Sequence, residues 1–167
     1  MKNLVKLLSF AAIVAFFVSS CNTDPCKDVV CGDQGVCDEG ICLCNTGYEK
    51  DSAGLCNTEW SAKFIGTNLA TQDTCYGDNG NFSVAYNMTI SRTSEKKLST
   101  TNLGGFGATN TVDIDVTSST DLTINHTDVG SRVFAGTGSI SGNTITLNYT
   151  VTYTDTTVDT CVAIITK

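Results

Sequence analysis

The chain has 167 residues, room for one ordinary small domain plus a mini-domain, with a formal net charge of −7, nine cysteines, one proline and one histidine. A negative balance of that size argues against nucleic acid as a partner and against docking on anionic lipid through a basic patch. Abundant Thr, Ser, Asn and Gly, with few strong helix formers after residue 20, predict an all-β mature chain.

Residues 1–20 begin with Lys2 and Lys6, continue through an apolar run from Leu7 to Val18, and end in Ser19 and Ser20. That order is a signal peptide. As a membrane span it falls short of the ~20 apolar residues a bilayer core demands, and no basic stop-transfer cluster follows. The run Val18-Ser19-Ser20-Cys21 resembles the bacterial lipobox, an aliphatic residue and two small ones before a cysteine. The resemblance implies that the sulfur of Cys21 carries a diacylglycerol, that Cys21 becomes the new N-terminus, and that 21–25 is a lipidated tether. Asn22 stands where the enterobacterial sorting rule would need aspartate to retain the protein at the inner membrane, which implies the outer membrane, with the cell surface as a further destination. Several acyl chains anchor firmly where one would be marginal. Loss of Lys2 and Lys6 with the signal peptide takes the net charge from −7 to −9.

The cysteine count is odd, and thiols pair in an oxidising envelope. With Cys21 set aside, Cys26, Cys31, Cys37, Cys42, Cys44 and Cys56 crowd into one stretch, and Cys75 and Cys161 bracket the remainder. The six-cysteine stretch, 26–57, has only Val29, Val30, Val36, Ile41, Leu43, Tyr48 and Leu55 to offset its chain entropy, so disulfides must hold it. Six cysteines allow fifteen pairings, and composition does not choose among them.

Cys42, Cys44, Asn45, Thr46, Gly47, Tyr48 and Cys56 resemble the closing signature of the EGF-like family. The resemblance implies pairs Cys26–Cys37, Cys31–Cys42 and Cys44–Cys56 on a small two-stranded hairpin, with Gly47 in a turn. The calcium-binding subset carries Glu or Gln directly before its first cysteine; Pro25 stands there, and Asp24 alone is a poor ligand set for an ion that wants six or more oxygens. No metal is expected, and no cofactor beyond the covalent lipid on Cys21.

Asn57, Thr58 and Glu59 read as a short hinge into a second domain, 58–167. There, apolar residues alternate with Thr, Ser and Asn, the period of half-buried strands. Phe82, Val84, Tyr86, Met88 and Ile90 form one such face, as do Val112, Ile114 and Val116, Leu122 and Ile124, and Ile145, Leu147, Tyr149, Val151 and Tyr153. Turn clusters at Gly77-Asp78-Asn79-Gly80, Gly104-Gly105-Phe106-Gly107, Ser118-Ser119-Thr120 and Thr127-Asp128-Val129-Gly130 separate them. Roughly seven to nine strands with tight connections predict an antiparallel barrel or sandwich.

One hairpin can be registered from sequence. Gly142-Asn143 is a two-residue turn, which sets Ile140 against Ile145, Gly138 against Leu147, Gly136 against Tyr149 and Phe134 against Val151. The glycines opposite Leu147 and Tyr149 either let large side chains lie across the neighbouring strand or mark a bend. Cys75, after the first strand, and Cys161, in the last, are expected to bridge the two ends of the domain. Trp60, Phe64 and Gly66-Thr67 resemble the opening of lipocalin-like envelope proteins, with Thr58 where those carry glycine.

Candidate catalytic chemistry is thin. His126 is the only histidine and sits at a strand end; Asp113 and Asp115 share the face opposite Val112, Ile114 and Val116, which makes it a solvent face. Asp78, Asn79 and Asn81 are oxygen donors but also ordinary turn formers. No phosphate loop or nucleophile elbow occurs. The expectation is a non-catalytic, lipid-anchored envelope protein that meets an unidentified protein or glycan partner. The alternative is a carrier of a small apolar ligand, with Tyr86, Met88, Leu147 and Tyr149 lining a barrel interior.

Overall fold

A computed structural model describes residues 24–167; the expected signal peptide and the expected lipidation of Cys21 lie outside the described residues. The fold is all-β, a disulfide-rich N-terminal region followed by a closed barrel.

The N-terminal region holds a hairpin of β1 (Gly35–Asp38) and β2 (Ile41–Cys44), paired with Val36 opposite Leu43 and Cys37 opposite Cys42. Alternation sends Cys37, Cys42 and Cys44 to one side and Val36, Ile41 and Leu43 to the other. Three bridges, Cys26–Cys37, Cys31–Cys42 and Cys44–Cys56, close loops of 11, 11 and 12 residues. Only Cys31 and Cys56 among its apolar residues are buried, so covalent closure stands in for a core.

The stretch read as a hinge is paired. β3 (Tyr48–Glu49) and β4 (Thr58–Glu59) form a second small ladder, and the Trp60 N–H donates to the Gly47 carbonyl. Trp60–Lys63 then forms a 3₁₀ turn where the sequence suggested the opening of a strand. The reason is packing: the turn brings Phe64 into the core, fully buried, and leaves Trp60 packed against its edge.

Eight strands follow: β5 (Gly66–Gly77), β6 (Phe82–Ser94), β7 (Lys97–Thr101), β8 (Thr111–Val116), β9 (Asp121–Thr127), β10 (Val133–Ser141), β11 (Thr144–Thr152) and β12 (Val158–Thr166). Each pairs antiparallel with the next, and β12 pairs with β5, so the meander closes into a barrel without a free edge. The second 3₁₀ turn, Leu103–Gly105, lies between β7 and β8. Cys75 lies inside β5, directly opposite Cys161, rather than after the first strand, and the two are bridged across 86 residues.

The β10–β11 register is the one the turn dictates, with Ile140, Gly138, Gly136 and Phe134 opposite Ile145, Leu147, Tyr149 and Val151. Gly142 sits at φ +58, which a two-residue turn requires of its first residue. Of the two roles open to the facing glycines, close approach is the operative one. A Cβ on Gly138 would meet Leu147 Cδ2, and one on Gly136 would meet the Tyr149 backbone.

Inward positions carry the core: Met88, Ile90, Leu98, Val112, Ile114, Leu122, Phe134, Ile145, Leu147, Val151, Ala163 and Ile165 are buried. An eight-stranded barrel is just wide enough for side chains to fill. The outer wall alternates with it as Thr, Ser, Asn and Asp, for example Thr146, Asn148 and Thr150 on β11 and Asp113 and Asp115 on β8. A membrane-spanning barrel needs the reverse, an apolar band outside, so this wall faces water. Among the described residues, no helix is long and apolar enough to cross a membrane.

Candidate functional site

The polar groups inside the barrel are placed by strand alternation. Leu69, Thr71, Asp73 and Cys75 hold successive inward positions of β5, which carries a carboxylate into the core. Tyr149 and Tyr86 both donate their hydroxyls to Asp73 Oδ2, Tyr86 at 2.8 Å. The Tyr86 oxygen in turn accepts the Gly104 N–H at 2.9 Å, tying the 103–105 turn to the wall. Burial first, and then the charge of Asp73, drives both phenols far above their ordinary range, so they remain neutral donors. Two hydroxyls thereby replace the water that a buried carboxylate would otherwise miss.

Asp73, Cys75 and Cys161 are residue types that hold metals, with ligand atoms within 4.8 Å of one another. Both sulfurs are committed to the Cys75–Cys161 bridge, which leaves a single carboxylate and no thiolate.

The rim at the ends of β5, β7, β9 and β11 is capped by a second polar set. Asp128 accepts the Arg132 Nε–H at 2.7 Å and the backbone N–H groups of Gly130 and Arg132, and the guanidinium lies 3.8 Å over the Phe106 ring. Phe106 packs edge-on against Phe134 and Tyr153. Burial works to raise the Asp128 pKa, but the Arg132 hydrogen bonds and charge outweigh it and hold the carboxyl below the usual range. Buried Asp159 accepts from the Tyr153 hydroxyl at 3.0 Å and from Asn79; burial and Asp159 push the Tyr153 phenol up to about 12. Asp78 accepts the Val158 N–H at 3.1 Å. The turn side chains Asp78 and Asn79 thus stitch the β5–β6 connection to the strand start of β12.

The opposite rim meets the disulfide-rich region. Glu59 accepts from Arg92 at 2.5 and 2.8 Å, and Lys63 pairs with Glu49 at 2.6 Å. Beside this junction lies a groove of about 520 Å³, lined by Thr46, Trp60, Glu95, Lys96, Lys97 and Asp115 among others. An aromatic wall with hydroxyl, ammonium and carboxylate groups around it can stack against a ring and hydrogen-bond its substituents. Sequence reading passed over this groove because its residues are spread over four segments; the signal within reach was the chain's only tryptophan.

The four residues expected to line a ligand cavity are placed differently from one another. Met88, Leu147 and Tyr149 are buried in the packed core, and Tyr86 is half-buried with its hydroxyl engaged. None of the four lines the 520 Å³ groove or the concavity of about 400 Å³ at Lys63, Thr120, Ile140, Gly142 and Lys167, and only Tyr86 borders a shallow concavity of about 260 Å³, with Ala70, Thr71, Ala85 and Asn87. His126 Nδ1 stands 3.7 Å from Asp113, an exposed carboxylate, while Asp115 pairs with Lys97 at 3.0 Å. Asp73 was legible only by stepping inward from Cys75 in twos.

No family model matches this chain, and no curated protein matches it. Among solved structures it is similar to a candidate outer membrane protein from Bacteroides fragilis NCTC 9343, with 18% identity and a TM-score of 0.46 over 65% of this chain. The match spans about half of that protein, 52% of its length. A redesigned β-barrel is similar at 11% identity and a TM-score of 0.45, covering 64% of this chain and 93% of the other.

Proposed function

We propose that this chain is a lipid-anchored, non-catalytic protein of the bacterial envelope. Cys21 carries the lipid at the outer membrane, the EGF-like region is a spacer, and the barrel unit is a surface module for a protein or glycan partner. One observation carries the interaction reading: the barrel interior is filled with its own side chains, from Phe64 to Phe134, so recognition is left to the outside. The junction groove with Trp60 is the place on that outside best equipped to hold a partner. The anchor is supported by sulfur accounting, since four bridges use eight of the nine cysteines and the ninth is Cys21.

The test has two parts. Intact mass of the protein extracted from membranes is expected to exceed that of residues 21–167 by the acyl groups, and to rise on reduction by the eight hydrogens of four bridges. Titration of the mature chain with purified envelope glycans is expected to shift the emission of Trp60. A glycan or protein that is retained equally by Trp60→Ala and Lys97→Ala chains would remove the groove from the reading.

A further inference from the structure

The disulfide-rich region exposes more aliphatic surface than its size explains. Val36 is 59% exposed, Ile41 60%, Leu43 50% and Val30 74%, all with the barrel in place. Val36 and Leu43 are direct cross-strand partners, and Ile41 follows on the same side of the hairpin. The bridges occupy the other side, through Cys37, Cys42 and Cys44. Contiguous exposed apolar surface of this kind marks a contact.

Where the chain enters the region says what it contacts. Pro25 lies against the tip of this same hairpin, its carbonyl oxygen 3.3 Å from where a Gly40 Cβ would stand. From Cys21 to Asp24 is three residues, at most ~11 Å of extended chain. The lipid attachment point is therefore leashed beside the hairpin and cannot be carried far from it. We infer that the Val36, Ile41 and Leu43 face rests on the bilayer that holds the anchor, within the headgroup and upper acyl layer. This rests on the proposed acylation of Cys21. It makes the anchored region lie down on the membrane by one face, with the barrel held outward from it.

The neighbouring charges set a condition. Asp38, the cross-strand partner of Ile41, lies at the end of this face, and Asp24, Asp28, Asp33 and Glu39 are its neighbours in sequence, against Lys27 alone. Contact is therefore apolar rather than electrostatic, and is expected to be firm on zwitterionic lipid. Anionic lipid at low salt should weaken it, and screening should restore it.

The acylated full chain, purified from membranes and checked by intact mass, is reconstituted into phosphatidylcholine vesicles with brominated acyl chains. In a Leu43→Trp chain, emission above the Trp60 background is expected to be roughly halved by bromines high on the acyl chain, since such faces sit ~5–10 Å into the boundary. A Val129→Trp chain, with its indole at a 90% exposed site on the far rim, is expected to stay unquenched. Val36→Trp gives the same reading from the paired position should Leu43→Trp misfold. Unquenched Leu43→Trp and Val36→Trp in a chain of acylated mass would overturn the docking and leave the anchor standing. A blue-shifted but unquenched indole would overturn it in favour of a protein contact, and an unmodified mass would overturn anchor and docking together.

Discussion

The two halves of this molecule solve the stability problem by different means. The region ending at Glu59 buries two cysteines as its only apolar core and is closed by three short disulfide loops, whereas the barrel buries side chains from all eight strands and carries one long bridge. Covalent closure raises the free energy of the unfolded chain and leaves the folded surface free to be apolar. Burial does the opposite, committing apolar residues inward and leaving a Thr, Ser and Asn wall outside. The same contrast explains why the large aliphatic patch lies on the small region: its side chains are not needed for its core.

Mild reduction should break the comparison open most widely. Each short loop contributes about 3 kcal/mol in the loop-entropy model, so reducing all three should unfold the N-terminal region while the barrel keeps its amide protection. Hydrogen exchange after graded reduction checks this, and a region that stays protected with six free thiols would show a core where none was seen. Removing the buried bridge with Cys75→Ala and Cys161→Ala together should cost the barrel about 4 kcal/mol by denaturant unfolding, while leaving the 26–56 bridges intact. Phe134→Ala, which removes the ring that Phe106 meets edge-on and Tyr149 stacks against, should cost about 3–4 kcal/mol in the same assay. Asp128→Asn should cost about 2 kcal/mol, because buried Asp128 serves Arg132 and two backbone N–H groups. The Asp128 pKa is lowered in the fold, so its contribution is present above the ordinary aspartate range and lost as pH falls through the depressed value; the Asp128→Asn chain should lack that part of the acid transition. The smallest effect sharpens the contrast: Val36→Ser or Leu43→Ser should change stability by less than about 0.5 kcal/mol, as expected of exposed sites.

The barrel was the more readable half. Most of its strands alternate, with irregularities only at Gly66–Leu69 and Arg92–Ser94, and one two-residue turn at Gly142-Asn143 sets a nine-pair register in which every apolar residue of β11 points inward. Two features escaped the pattern for the same reason, that tertiary contact overrode local signal. Trp60–Lys63 curls into a 3₁₀ turn to seat Phe64, and Thr58–Glu59 pairs backward with Tyr48–Glu49 instead of spanning freely. Asp73 escaped because a buried carboxylate contradicts binary patterning; it is tolerated only because Tyr86 and Tyr149, far off in sequence, converge on it. The junction groove escaped because its lining belongs to no single stretch.

Closure of β12 on β5 has a consequence for how the protein is made. Synthesis from the N-terminus delivers β5 before β12, so the first barrel strand waits with one edge unsatisfied, and Cys75 waits with it, until residues 158–166 arrive. Barrel closure is thus a zipping shut that needs residues 158–166, and a product lacking that strand would have an open sheet edge and a stranded thiol.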